Sequence, residues 1–285
     1  MPRRYSLDPA MPVLLRPDGT VQVGWDPRRA VTVRPPRGLS PTALAGVLRM
    51  MQANAADEDL VRELARRGNP DEAVDTAEFD GLVTALIGAG VARPDQPHRP
   101  GRAPAIRIHG RGPLADLITD AMRCSGTLVK HSSHPHAVVN PDNTDLVVFT
   151  DFLVIDSRLL RDLHDARIPH LQVRMRDGRG LVGPLVLPGL TSCLGCADLH
   201  RSDRDAAWPA VAAQLRDTVG TAARATVLAT AALALGQIDT VLAAVRGGPE
   251  NALRAPATLS TTLEFDSTTS TIASRHWPRH PLCGC

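Results

Sequence analysis

The residues best suited to chemistry in this chain are four cysteines in two close pairs. Cys193 and Cys196 stand as C-L-G-C, and Cys283 and Cys285 as C-G-C at the end of the sequence. A short-spaced pair offers both thiolates to one ion, so two such pairs suit a single tetrahedral zinc better than a disulfide set. Four sulfurs close the coordination shell and leave no open position. The expected zinc is therefore structural and not catalytic. His200 and His280 are the alternative ligands, each able to replace a cysteine. Cys124 is isolated on an apolar stretch and reads as a core residue.

A second candidate is the run Gly110-Arg-Gly112-Pro-Leu-Ala115, which follows a β-rich segment and opens a helical one. It fits the G-x-G-x-x-A turn of nucleotide-binding sheets, where glycines let a phosphate approach a helix N-terminus. The full fingerprint adds an acidic ribose ligand about 20 residues further on. No carboxylate lies between Asp120 and Asp142, so the turn reads as a structural remnant. His131, His134 and His136 cluster in H-S-S-H-P-H and read as a solvated loop before a second metal site. There is no G-x-S-x-G, P-loop or H-E-x-x-H, and no catalytic residue is assigned.

These groups must be positioned by two domains. In residues 1–92 the expected strands are Val13–Leu15, Thr20–Gly24 and Ala30–Val33, with Asp18-Gly19 as a hairpin turn. Helices are expected from Ser40-Pro41, over 57–67, and over 76–88, where Phe79, Leu82, Val83 and Leu86 share a stripe. This makes a small winged-helix-like α+β domain. Residues 93–104 carry four prolines and form the expected linker. Residues 105–285 alternate strand and helix: strands 105–109, 146–150, 170–174 and 180–188, helices from 113 and 156. The expectation is an α/β domain with a Rossmann-like, mostly parallel sheet. A polar stretch runs to Asn143, a long helical region covers 206–246, and a hairpin covers 258–276.

Composition narrows the function classes. Hydrophobic residues are 43% but aromatics only 3%, so the core is aliphatic. A net charge of +2 with dispersed arginines gives no nucleic-acid footprint. On the second helix Asp57, Glu58, Asp59 and Glu63 oppose phosphate contact, which argues against a DNA regulator. Residues 1–11 lack the apolar core of a signal peptide. The run 222–245 is broken by Arg224, Gln237 and Asp239 and reads as too polar to span a membrane. The expectation is a soluble, cytoplasmic protein in which close cysteine pairs hold metal.

Several stretches together resemble a known family. They are Asp145–Asp151 (D-L-V-V-F-T-D), Ile168–Val173 (I-P-H-L-Q-V), Gly180–Gly189 (G-L-V-G-P-L-V-L-P-G) and Cys193–Cys196. The pattern resembles the ThiF/MoeB superfamily of ubiquitin-activating-type adenylyltransferases. In that family a strand ends in Asp, a G-I-P-type strand leads to half of a zinc site, and the other half lies near the C-terminus. The run from Gly183 to Pro209 and the tail H-W-P-R-H-P-L-C-G-C are similar to an actinobacterial ThiF-like subgroup. Those proteins are cyclodehydratase partners and leader-peptide binders in azole peptide (RiPP) biosynthesis.

The resemblance implies a homodimer, a structural zinc and a winged-helix peptide-recognition module. It also implies a YcaO-type modifying enzyme as partner. It places Asp151 at the family's magnesium-linked Asp, so Gly110, Gly112 and Asp151 are the vestigial cofactor-binding candidates. Active members also carry an acidic ribose ligand, an arginine and a lysine between turn and Asp. Here Lys130, the only lysine in the chain, stands alone, with no arginine from Thr127 to Asp151. Adenylation needs cations on the triphosphate to stabilise developing charge, and these are missing. The expectation is a non-catalytic scaffold without ATP. The alternative is an active adenylyltransferase using Gly110, Gly112, Lys130 and Asp151.

Overall fold

The computed structural model describes residues 4–53, 57–67, 74–95, 103–134, 139–247 and 255–285 and divides into two compact units, 1–98 and 99–285.

In the first unit, β2 (Val13–Leu15), β3 (Val21–Val23) and β4 (Val31–Val33) form an antiparallel meander, preceded by β1 (Arg4–Leu7). Helices α1 (Pro41–Gln52), α2 (Asp57–Arg67) and α3 (Thr76–Gly88) follow. Local chemistry sets their starts. The Ser40 hydroxyl accepts from the Ala43 N–H ahead of Pro41, and the Asp75 carboxylate accepts from Ala77 and Glu78 N–H. Leu44, Val47, Leu48 and Met51 of α1 then pack with Val21, Val23 and the Phe79–Leu86 stripe of α3 in one core. Ala92–Asp95 is a strand, β5, paired antiparallel with β1 (Ser6 opposite Arg93). The linker expected at 93–104 therefore starts too early, because Pro94 and its neighbours lie in an edge pairing.

The second unit has β6 (Ala105–His109), α4 (Pro113–Arg123), β7 (Leu128–Ser132), β8 (Leu146–Thr150) and α5 (Ser157–Asp165). Then come β9 (His170–Arg176), β10 (Arg179–Val186), α6 (Leu194–Ser202), α7 (Trp208–Gln214), α8 (Arg224–Gly247), β11 (Thr261–Asp266) and β12 (Thr271–His276). The seven-stranded sheet runs β12-β11-β10-β9-β8-β6-β7. The pairs β7–β6, β6–β8 and β8–β9 are parallel, and β9–β10, β10–β11 and β11–β12 antiparallel. The sheet is thus mixed, not mostly parallel. The polar stretch expected to run to Asn143 contains β7, and the helical region expected at 206–246 is two helices joined by 215–223.

Every residue of β8 is buried, because both faces of the sheet are covered. Leu146 and Val148 face the layer built with α4 and α8, while Val147 and Phe149 face α5 and the start of α6. Helix α8 is long and apolar enough to cross a membrane by length and hydropathy, contrary to the sequence expectation. Its apolar content has another use here: Ala231, Ala234, Ile238 and Leu242 are buried against the sheet.

A four-sulfur centre and a filled glycine turn

Cys193 is the N-cap of α6, and its sulfur accepts from the Cys196 N–H at 3.4 Å. One turn of helix thus presents both thiols on one side. The tail supplies the other two: Cys193 Sγ lies 3.5 Å from Cys283 Sγ, and Cys196 Sγ 3.4 Å from Cys285 Sγ. Cys193 and Cys196 sulfurs are 3.8 Å apart, and all four lie within 4.8 Å of one another. An S–S bond is about 2.05 Å, so none is formed. A tetrahedral zinc about 2.3 Å from each sulfur sets its ligands about 3.8 Å apart, so the four thiols fit such an ion. Burial pushes the Cys193 and Cys285 thiols up. At Cys196 burial acts upward too, but backbone bonds at His280 and Cys193 and the neighbouring thiols outweigh it and leave the thiol at about 7. A cation would take all four as thiolates and relieve this crowding.

The two histidines do not replace a cysteine; they brace the tail. His280 Nδ1 accepts from the Leu282 N–H at 3.1 Å, so its Nε2 carries the proton and donates to Asp203 at 2.9 Å. His200 Nε2 donates to the Pro278 carbonyl at 3.1 Å, and the two rings meet edge-on at 4.8 Å. His200, Asp203 and His280 form a ligand-like cluster, but both nitrogens of His280 are engaged. Asp203 and Trp277, which lies buried beside this tail, were missed in sequence. The only available signal was the resemblance of the tail as a whole.

The glycine turn sits at the C-terminal end of β6, where a nucleotide sheet binds phosphate. Here Asp151, the residue after β8, fills it. Its Oδ1 accepts from the Leu114 N–H at 3.0 Å and its Oδ2 from the Ala115 N–H at 2.9 Å, the first amides of α4. Asp151 is 1% exposed and holds φ of +69°, a left-handed conformation that Asp tolerates better than most side chains. Burial raises its pKa, opposed by the two N–H bonds. The glycines are needed for this closure. A Cβ on Gly110 would lie 2.0 Å from Thr150 Oγ1, and one on Gly112 2.6 Å from Asp151 Oδ1. His131, on β7 and not in a loop, contacts the Gly110 carbonyl through Nε2 at 2.9 Å. His134 is exposed, and His136 lies outside the described residues. Lys130 is on β7, and Ser132, at the strand end where the nucleotide fingerprint places a ribose carboxylate, accepts from Gly110 N–H through its carbonyl at 3.0 Å.

Fold and site together define an α/β protein with a mixed seven-stranded sheet, a glycine turn closed by Asp151 and four converging thiols. Solved structures share its fold. A heterocyclase in complex with substrate and cofactor aligns with a TM-score of 0.67 at 15% identity, over 100% of this chain and 40% of that one. The heterocyclase TruD aligns with 0.62 at 16% identity, over 99% and 42%. E. coli MccB with ATP aligns with 0.55 at 12% identity, over 99% of both chains. The chain spans about two-fifths of the length of the two heterocyclases. No family model and no curated protein matches the sequence.

Proposed function

We propose that this chain is a non-catalytic ThiF-like scaffold that binds a precursor (leader) peptide and presents it to a modifying enzyme such as a YcaO-type cyclodehydratase. The observation that carries the non-catalytic half is Asp151. Its carboxylate takes the helix N-terminal amides that a nucleotide phosphate would need, and both its oxygens are engaged there. ATP chemistry then belongs to the partner. The heterocyclase fold supports the peptide half, since one of those structures holds substrate and cofactor. In this reading the N-terminal unit is the winged-helix-like recognition module. Strand β4 is the edge of its meander among the described residues. A peptide adds there as a further strand, toward α3. The protein works in the cytoplasm as a homodimer, with zinc on Cys193, Cys196, Cys283 and Cys285.

The test is anisotropy of labelled precursor peptides encoded beside this gene. Saturable binding to the leader half and none to the modified half is expected; no binding to any of them ends the reading. An active adenylyltransferase is the second reading, favoured by the retained strand–turn–helix geometry at Gly110 and Gly112 and by the shared fold with ATP-bound MccB. Magnesium-dependent ATP–pyrophosphate exchange in the purified protein would establish it in place of the first.

A further inference from the structure

Helix α8 carries more apolar surface than the fold uses. Only 28% of its most apolar stretch is buried. Ala231, Ala234, Ile238 and Leu242 face the sheet. On the other side Ala225, Leu228, Ala232, Gly236 and Ala243 are exposed, and Leu228 keeps 51% of its surface in water. A contiguous apolar strip of this extent marks an interaction surface. The sheet is also open beside α8. A Cβ on Gly180 would meet Thr230 Oγ1 at 1.7 Å, so Gly180 sits on the face that α8 covers. Phe265 stands opposite Gly180 in the ladder and Ile272 opposite Phe265, so both side chains point to that same face. There the cover ends: Phe265 is half-buried and Ile272 is 52% exposed.

The charges on α8 say what fits this strip. They are Arg224, Asp239 and Arg246. Arg246 is tied to the Ser125 carbonyl and Thr127. Arg224 and Asp239 are exposed, and neither pairs with a described residue. With a rise of about 1.5 Å per residue and about 3.6 residues per turn, they stand about 22 Å apart along the helix and about 60° apart around it. They share one side of α8 but cannot reach each other. Leu228 and the half-buried Leu235 lie between them, about 10 Å and about 20° apart. Both pairs have the same midpoint, between Ala231 and Ala232. A two-fold axis through that midpoint lays a second α8 antiparallel on the first. Each Arg224 then meets Asp239 of the other copy, and each Leu228 meets Leu235 of the other copy. A parallel pairing would set Arg224 on Arg224 and Asp239 on Asp239. A helix about 36 Å long and about 10 Å wide has a footprint of about 360 Å², against about 800 Å² per partner in a standard interface. The open face at Phe265 and Ile272 is available to extend the contact.

We infer that the outer face of α8 is where two copies of this chain meet, antiparallel about the midpoint of Ala231 and Ala232, with Arg224 of each on Asp239 of the other. The inference rests on the homodimer of the proposed function, not on its peptide binding, and gives that dimer its surface.

The experiment is sedimentation equilibrium of the full-length protein, with circular dichroism to confirm folding. The wild type should be a dimer. Arg224→Glu and Asp239→Arg each place like charges at both contacts, and each should raise the dimer dissociation constant at least about tenfold. The double exchange, Arg224→Glu with Asp239→Arg, restores opposite charges and should return the constant to within about threefold of wild type. Should a charge variant fold poorly, Leu228→Lys on the same face should weaken association at least about tenfold. A dimer that ignores all these changes lies on another surface and overturns the assignment while the homodimer stands. Singles that weaken the dimer without rescue in the double exchange overturn the antiparallel pairing. A monomer at every concentration, or flotation with neutral phosphatidylcholine vesicles in place of self-association, overturns surface and homodimer together; anisotropy with the leader peptide then still decides the scaffold reading by itself.

Discussion

Replacing Asp151 tests whether the glycine turn is filled from within. Asp151→Ala leaves the Leu114 and Ala115 amides, both at the buried start of α4, without their acceptor. A hydrogen bond to a charged group is worth about 1.5–3 kcal/mol, so the pair amounts to about 3–6 kcal/mol. Burial of the carboxylate, which raises its pKa, takes back a share, and a net loss of about 2–4 kcal/mol is expected. Asp151→Asn keeps the shape and one acceptor and should lose about half as much. The measurement is urea unfolding followed by tryptophan fluorescence in a Trp25→Phe background. The signal then comes from Trp208 and Trp277 of the second unit alone. Asp151→Ala should also gain something: phosphate can enter the vacated turn. At ten times its Kd, phosphate would restore about 1.4 kcal/mol in the variant while leaving the wild type unmoved. An Asp151→Ala protein as stable as the parent and indifferent to phosphate refutes the reasoning.

Purified protein should carry one zinc per chain by elemental analysis, and Cys285→Ser should reduce it. Each kcal/mol of lost metal binding lowers the thermal midpoint by about 2–4 °C. Stability should fall as pH drops through the range between 6.5 and about 4, through His170 and through His109, which burial also depresses to about 4. The His170 ring is buried and its pKa is depressed to about 4 by burial, against the pull of the Ile168 carbonyl. The unfolded chain takes a proton there near 6.5 and the folded chain does not, so this stability is present above the unfolded value and lost on acidification. The His170 share of the loss is about 3 kcal/mol, and the difference between the urea midpoints of wild type and His170→Gln across that range measures it. Gly110→Ala, whose Cβ would meet the Thr150 backbone carbonyl oxygen at 2.3 Å, should cost about 3 kcal/mol or more in the same unfolding assay.

Elements with local signatures are legible in the sequence, and those made by distant partners are not. Helices α1 and α3 announce themselves through Ser40-Pro41, a capping Asp75 and a one-sided apolar stripe. Strands β6 and β8 are short apolar runs, and both fall where expected. Strand β7 was not legible because it is a sheet edge with Leu128, Lys130 and His131 exposed, held only by its register with β6. Helix α6 was missed because its cap is a thiol, outside the usual oxygen side chains. The antiparallel half of the sheet had a signal that went unread. Asp177-Gly178, both at positive φ, is a tight turn with no room for a crossover helix, so β9 and β10 must run opposite ways. The cysteine spacing located the sulfur cluster, yet nothing in spacing could show that Asp151 turns back onto α4 across 36 residues.

The sulfur site is also unlike a zinc finger, which has no fold without its metal. Its thiols are presented by parts that other contacts hold. Trp277 is buried and donates to Thr262 Oγ1 at 3.0 Å, tying the tail to β11. Beyond it His280 is locked between Asp203 and the Leu282 amide, and its carbonyl accepts from the Cys283 N–H at 3.0 Å. The chain is therefore steered to the sulfurs up to Cys283 without a cation, and an ion held there would mainly relieve the crowding of four thiols, of which Cys196 is the buried one. Chelation should then release a short segment rather than the sheet. In hydrogen exchange after zinc removal, amides of 283–285 should lose protection while Trp277 and strand β11 keep theirs. If strands β11 and β12 lose protection together with the tail, the metal organises this edge of the sheet and the hydrogen bonds do not.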